Sequence, residues 1–310
     1  MTPSELPPVA IVVVNYGSHE LLERNLVPVS EHSPDARVVI VDSFSDVPER
    51  EAVVRLAERR GWLTVLPSTN VGFGGGMNLG VAKAYQAGAR FFLLLNPDAA
   101  LNAESFRSLR VEANAEPMTL LAPKIFRPDG AIWFDGSDLD LNDGSTRASR
   151  KNSAAAQERN VPWLTGACLM ISHELWQKVG GFDERYFLYW EDVDLSYRVL
   201  AAGAQIRVVH GAPAVHDEGG THPDAAANPA NRAKSAIYYY YNARNRLLFA
   251  GLNLGPDVQR AWKRTAVRAA RDILLRGGRR QFLRPLPPLR AAAMGTWDGL
   301  RLMRDAQKSR

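Results

Sequence analysis

An α/β architecture, with a mostly parallel central sheet flanked by helices, is what this chain predicts, on two observations. Short apolar runs alternate with helix-length segments through the first 115 residues, the mark of successive βαβ units. The clearest run, Phe91-Phe92-Leu93-Leu94-Leu95, lacks the alternating polarity of a strand with one wet face, so both of its faces are expected to be covered. Strands are expected at residues 10–14, 37–41, 64–66 and 91–95, and helices near 21–29, 49–60, 75–86 and 103–113. Right-handed crossovers put the strand-end loops on one edge, so Asn15, Asp42, Asn70 and Asp98 converge on one crevice.

Composition fits a core of this size: 310 residues, 46% hydrophobic and 23% charged. No apolar stretch approaches the roughly 18 residues needed to span a bilayer, and residues 1–8 lack a signal-peptide pattern, so a cytoplasmic protein is expected. The single cysteine, Cys168, rules out an internal disulfide and sits in an apolar segment, as a packed core residue would. Charge is divided unevenly. From Ala230 onward there are eighteen Lys and Arg against four Asp, or +14, which leaves −9 of the net +5 to the rest. The expected organisation is a catalytic region at 1–231, with halves at about 1–115 and 116–231, and a basic helical extension at 232–310.

Two acidic clusters carry the chemistry. Asn96-Pro97-Asp98 ends the fourth strand, because Pro97 cannot donate to a sheet ladder. Ligands of open α/β sheets bind at such strand ends. A carboxylate there suits Mg²⁺ or Mn²⁺, hard cations that share oxygen ligands with substrate phosphates. It equally suits a turn capping the helix near Ala103. The second cluster, Glu191-Asp192-Val193-Asp194, follows the aromatic run Tyr186-Phe187-Leu188-Tyr189-Trp190. Carboxylates are favoured in a first helical turn by the helix dipole. Apolar walls can also raise a carboxylate pKa and make it a useful base.

The extension has its own pattern. Val258, Trp262, Ala266, Ala269 or Ala270, and Ile273 recur at helical spacing, with Arg260, Lys263, Arg264, Arg268 and Arg271 mostly outside the stripe. Such a helix can lie on an anionic membrane or pack on the protein with a solvated basic face. The sequence then breaks at Gly277-Gly278-Arg279-Arg280 and Pro285-Leu286-Pro287-Pro288 before a last helix from about Leu289. No helix-turn-helix, finger or single-strand-binding pattern supports nucleic acid as a partner. Residues 143–160 and 218–231 have the composition of the least ordered segments, and the second could close as a lid. The glycine block from Gly72 puts Met77 where a dinucleotide fingerprint needs its last Gly or Ala, and it follows the third strand rather than the first. It lacks the P-loop pattern too. Glycines ahead of a helix start nevertheless let an anion approach the backbone.

Taken in order, the blocks Val12-Val13-Val14-Asn15-Tyr16, Val39-Ile40-Val41-Asp42-Ser43, Asn70 through Asn78, Leu95-Asn96-Pro97-Asp98, Trp163-Leu164-Thr165-Gly166-Ala167, Gly180 through Asp194, His216 and Arg244-Asn245 resemble the inverting family 2 nucleotide-sugar glycosyltransferases of GT-A fold, in particular their bacterial rhamnosyltransferase-like branch. The resemblance implies a sugar-transfer enzyme with a Rossmann-like sheet. It assigns Asp192 as the catalytic base, with Glu191 and Asp194 binding the acceptor or orienting the base. Asn15, Tyr16, Asp42, Asn70, Gly72, Asn78 and Asn96 would line the nucleotide-sugar pocket, Trp163, Gly166 and Trp190 the acceptor pocket. Asp98 and His216 would hold Mg²⁺ or Mn²⁺. The donor implied is dTDP-rhamnose or a UDP-sugar, and the acceptor a glycan or lipid-linked saccharide reached at the inner face of the membrane. A noncatalytic sugar- or nucleotide-binding module is the alternative, and it would be marked by a lost base or metal carboxylate.

Overall fold

The computed structural model describes residues 6–149, 159–217, 234–278 and 286–308. The expected lid at 218–231, residues 150–158 of the other segment expected to be least ordered, and the break at 279–285 lie outside them. The chain divides into two compact units. The first gathers Met1–Ser137, Pro162–Phe187 and Glu191–Ala226, and the second Asp138–Val161, Leu188–Trp190 and Ala227–Arg310.

The strands in chain order are β1 (Val9–Asn15), β2 (Arg37–Asp42), β3 (Leu63–Val65), β4 (Phe91–Leu95), β5 (Ala99–Leu101), β6 (Thr119–Phe126), β7 (Ile132–Phe134), β8 (Ser137–Asp140), β9 (Thr146–Ala148), β10 (Asn160–Trp163), β11 (Cys168–Ser172) and β12 (Gln205–His216). The central sheet runs β3-β2-β1-β4-β11-β6-β12-β5, with β7 paired to β6. Pairing is parallel from β3 through β4 and between β6 and β12. It turns antiparallel where β11 lies between β4 and β6, and where β5 meets β12. Every residue of β1 and β4 is buried, as the unbroken apolar runs require. Cys168 is buried in β11, where burial pushes its thiol pKa up and leaves it inert.

Local signals set the helix ends. The first helical segment runs from His19–Leu21 through a π-helical turn, Leu22–Leu26, into Val27–Glu31 and is named α1. Helix α2 (Val47–Arg60) starts where the Asp46 side chain accepts from Glu49 N and ends on left-handed Gly61. Helix α3 (Gly72–Gln86) begins at Gly72, three residues before the expected start. The glycines are therefore mostly inside the helix, and packing explains why. A Cβ on Gly76 would lie 2.8 Å from Val14, and one on Gly80 only 2.3 Å from Val12, so α3 seats against β1 only without side chains there. Helix α4 (Ala103–Ala115) is capped by Asn102, whose side chain accepts from Ser105 N. That leaves Asp98 free of the capping role, since β5 intervenes. The remaining helices of this unit are α5 (His173–Val179), capped by Ser172, and α6 (Glu191–Ala201).

The second unit contains α7 (Ala236–Asn253), α8 (Pro256–Arg264), α9 (Ala266–Leu275) and α10 (Leu286–Lys308). The single amphipathic helix expected over 258–273 is thus two, divided at Thr265. The expected stripe does face inward at Trp262, Ala266 and Ile273, with all five named cations exposed. Helices α7 and α10 meet backbone to backbone. A Cβ on Gly295 would lie 2.2 Å from Tyr240 O, and one on Gly299 2.7 Å from Arg244 O. Buried Arg246 and Trp262 hold the turn after β8. Arg246 Nε donates to Asp143 O at 3.2 Å and Trp262 Nε1 to Leu141 O at 2.7 Å. Burial pulls the Arg246 pKa down to about 10, and the Trp262 ring lies 4.7 Å beneath its guanidinium.

Candidate active site

The ends of β1 and β2 lie side by side, so Asn15 pairs with Asp42 in register. Asn15 Nδ2 donates to Asp42 Oδ1 at 3.2 Å and to Glu49 Oε1 at 3.1 Å, while Arg50 Nε donates to Asp42 Oδ2 at 2.7 Å. Asp42 is fully buried, with partners on both oxygens. Burial pushes the Glu49 pKa up, but donors from His19 and Asn15 outweigh it and hold the carboxyl below its usual value. Tyr16 is the open member of the group at 56% exposure, so its ring is not a core element.

At the end of β4 the backbone is pinned from three sides. Asn96 N donates to Ala167 O at 2.9 Å, Asn25 Nδ2 to Pro97 O at 2.8 Å, and Asp217 N to Asp98 O at 3.0 Å. The pairing of β12 with β5 brings His216 beside Ala99, and His216 Nε2 stands 3.0 Å from Asp98 Oδ1, off hydrogen-bond alignment. Those two atoms, His216 Nδ1 and Asn96 Oδ1 are all buried, and none has a hydrogen-bond partner among the described residues. Four orphaned polar atoms in one place call for an explanation, such as an ion. Oxygen and imidazole donors suit Mg²⁺ or Mn²⁺. Among the described residues no group of three His, Cys, Asp or Glu is arranged to hold a metal, so protein alone would leave the coordination incomplete.

The second acidic cluster begins α6, and its three carboxylates do different things. Asp194 is locked: Tyr186 Oη donates to Oδ1 at 3.0 Å and Arg198 Nε to Oδ2 at 2.6 Å. Glu191 is buried, with Oε2 lacking a partner among the described residues, and burial together with the charge of Asp192 lifts its pKa well above the usual range. Asp192 is half-buried. Desolvation raises its pKa, against hydrogen bonds from Gly166 N at 3.0 Å and Val193 N at 2.8 Å. The two clusters are close in connectivity. Ala167 takes the amide of Asn96 while its neighbour Gly166 gives an amide to Asp192, so the Gly166-Ala167 backbone joins the two clusters.

Other expected site residues have contacts within the protein. Asn70 Oδ1 accepts from Gly72 N at 2.8 Å and shapes the entry to α3. Asn78 binds the main chain of Phe182 in both directions, at 2.9 Å each, and donates to Glu184 Oε1 at 3.0 Å. Gly72 has a φ of +76°, and a Cβ there would meet Phe187 O at 2.4 Å. Gly166 likewise lies against Phe73 and Asp192. Trp163 is half-buried, 6.1 Å from the Phe134 ring, and its Nε1 is buried without a partner among the described residues. Trp190 belongs to the second unit, where it packs on Phe249 and Trp262 at 5.7 and 6.3 Å. It also walls an open recess shared with Asn242, Arg246 and Arg268. Sequence reasoning missed Arg50, and it missed Trp133, whose ring lies 4.3 Å from that of His216. The turn Pro128-Asp129-Gly130 ahead of Ile132 was the one local sign of the hairpin that carries Trp133.

A curled, mostly parallel central sheet flanked by helices places the chain in the GT-A fold class. Solved structures agree on the fold. A mannosyltransferase from Pyrobaculum calidifontis, in complex with GDP-Man and Mn²⁺, superposes with a TM-score of 0.57 at 16% identity, over 99% of this chain and 87% of that one. GalNAc-T7 with UDP, GalNAc and Mn²⁺ gives 0.56 at 13%, over 88% of this chain and 58% of that one. The chain belongs to the glycosyltransferase-like family 2, whose model matches residues 7–235, and is a glycosyltransferase. An N-acetylglucosaminyl-diphospho-decaprenol L-rhamnosyltransferase of Mycobacterium tuberculosis is 30% identical over 74% of this chain and 82% of its own length. A rhamnosyltransferase of Escherichia coli K12 is 22% identical over 77% of this chain and 94% of its own.

Proposed function

We propose that the enzyme transfers L-rhamnose, with inversion, from dTDP-rhamnose to a hydroxyl group of a lipid-linked saccharide. The observation that carries the mechanism is the connection of Asp98 and Asp192 through Asn96, Ala167 and Gly166. Two relatives named as rhamnosyltransferases, one on a diphospho-decaprenol acceptor, support the choice of sugar and acceptor. A Mg²⁺ or Mn²⁺ ion held by Asp98 and His216 would offset charge on the departing diphosphate. Asp192 accepts the proton of the acceptor hydroxyl as that oxygen attacks the anomeric carbon from the opposite face. Gly166 N and Val193 N hold its carboxylate in place, and burial gives it a proton affinity above that of a solvated aspartate. Glu191 shares that enclosure, whereas Asp194 fixes α6 to Tyr186 and Arg198. Tyr16 offers an exposed face to the base, and Asp42 holds Asn15 and Arg50 around it. Trp163 Nε1 offers an unpaired donor to a sugar hydroxyl. The base and metal carboxylates are both present, which a noncatalytic binding module would not need.

Purified enzyme incubated with dTDP-rhamnose, a panel of UDP-sugars and a short-chain lipid-diphosphate saccharide should yield product with dTDP-rhamnose. Turnover of a UDP-sugar alone would overturn the choice of donor.

The acceptor chemistry extends to the second unit. No helix among the described residues is long and apolar enough to cross a membrane. One side of α10 nevertheless exposes Leu286, Met294 and Trp297, the last at 71%, together with Arg290, Arg301 and Arg304. Apolar residues among cations fit the surface of an anionic bilayer at the cytoplasmic face, which would keep the enzyme beside a lipid-linked acceptor. Flotation with phosphatidylglycerol vesicles but not with phosphatidylcholine vesicles is the expected result, and Trp297→Ser should weaken it.

A further inference from the structure

Three of the four residues from Phe187 to Trp190, the segment that leads into Glu191 and Asp192, are strained. Phe187 belongs to the first unit, Leu188–Trp190 to the second, and Glu191 to the first again. Along this crossing Phe187, Tyr189 and Trp190 have φ of 61°, 65° and 75°. The same region of φ is otherwise occupied, among the described residues, by glycines and by Phe44. Bulky residues avoid this left-handed conformation and keep it only where the surroundings over-determine it. With ψ at −56°, Phe187 also has the geometry of the rare γ-turn.

Two fastenings hold the segment. At its start, Phe187 O accepts from Phe73 N at 2.8 Å, in the space left by the missing side chain of Gly72. Inside the second unit, Asn245 is 0% exposed and donates both amide hydrogens, to Leu188 O at 2.9 Å and to Tyr189 O at 2.7 Å. Its Oδ1 accepts from Arg244 at 2.5 Å. A charged donor on one side and two carbonyls on the other leave one orientation for the amide. Trp190, seated on Phe249 and Trp262, finishes the segment, and the next two residues are Glu191 and Asp192.

We infer that Asn245 is a positioning residue for the reaction: by clamping the carbonyls of Leu188 and Tyr189 it holds the strained turn that sets the start of α6, and so the aim of Asp192. The inference rests on the reading of Asp192 as the base. Asn245 touches no reacting atom. Its effect is on alignment, where a displacement of about 1 Å can cost about 100-fold in rate.

The decisive variant is Asn245→Asp, which keeps size and the Arg244 partner but turns two donors into lone pairs facing carbonyls. Its kcat should fall about 100-fold while KM for the nucleotide-sugar stays within about threefold, with a folded near-ultraviolet circular dichroism spectrum. Arg244→Met, at a half-buried site, removes the charged donor to Asn245 Oδ1 without emptying the interior, and should lower kcat about tenfold at unchanged donor KM. It decides the matter if Asn245→Asp does not fold. A kcat within about threefold of the parent in a folded Asn245→Asp, or equal changes in kcat and donor KM, would overturn the clamp. Asp192→Asn run beside it separates the two ideas. If Asp192→Asn keeps turnover, the base assignment falls and the aiming role of Asn245 falls with it. If Asp192→Asn is dead and Asn245→Asp is normal, the clamp alone falls.

Discussion

Asp98, after β4, and Asp192, in the first turn of α6, are joined through the Gly166-Ala167 backbone and have opposite surroundings. Around Asp98 the backbone is fully engaged, whereas its Oδ1, Asn96 Oδ1 and both nitrogens of His216 are buried and unsatisfied among the described residues. Around Asp192 both oxygens have amide donors, and burial is what disturbs the proton equilibrium. Unmet lone pairs point to something that binds; a desolvated carboxylate with fixed geometry points to something that takes a proton. Asp194, two residues further on, shows a third condition, buried and fully paired, which belongs to the scaffold.

The comparison can be broken at each of these positions. Asp192→Asn should lower turnover by about 10²–10⁴-fold while nucleotide affinity survives; near-normal turnover would remove the base. Asp194→Ala should act on the fold, because it leaves Arg198 and Tyr186 without their buried partner. A loss of about 3–5 kcal/mol in denaturant unfolding is expected, and an unaltered midpoint would make the pair ornamental. His216→Ala should raise the Mn²⁺ concentration for half-maximal activity at least about tenfold, and EDTA should silence the parent until Mg²⁺ or Mn²⁺ is returned. Full activity in EDTA would detach Asp98 and His216 from any cation. The smallest effect concerns pH. Burial raises the carboxyl pKa of Glu191, so the folded state binds more protons than the unfolded chain between the ordinary glutamate value and the raised one. Stability should therefore fall as pH rises through that window, and Glu191→Gln should flatten the decline in urea titrations at successive pH values.

Much of the catalytic unit was legible because short-range signals decide it. Apolar runs marked β1, β2 and β4 to within a residue or two, and Pro97 marked where β4 stops. Other features depend on contacts distant in sequence. Nothing local says that α3 takes glycines into its body; that follows from Val12 and Val14 pressing on Gly80 and Gly76. Nor does it say that Asn78, which reads like a pocket residue, is consumed by Phe182 and Glu184 more than a hundred positions away. The insertion of antiparallel β11 between β4 and β6 is equally invisible in periodicity, yet the residue that leads into it, Ala167, supplies the carbonyl that joins the two acidic clusters. Trp133 went unnoticed because a three-residue strand carries too little pattern to announce itself.

The glycine contacts of α10 bear on how this enzyme can be handled. Because Gly295 and Gly299 lie directly on main-chain atoms of α7, the terminal helix fills a trough that no solvent molecule could fill equally well. Shortening the polypeptide at residue 285, the trimming a crystallographer would try first, would bare that trough and yield insoluble material; a purification tag appended beyond Lys308 would leave it covered.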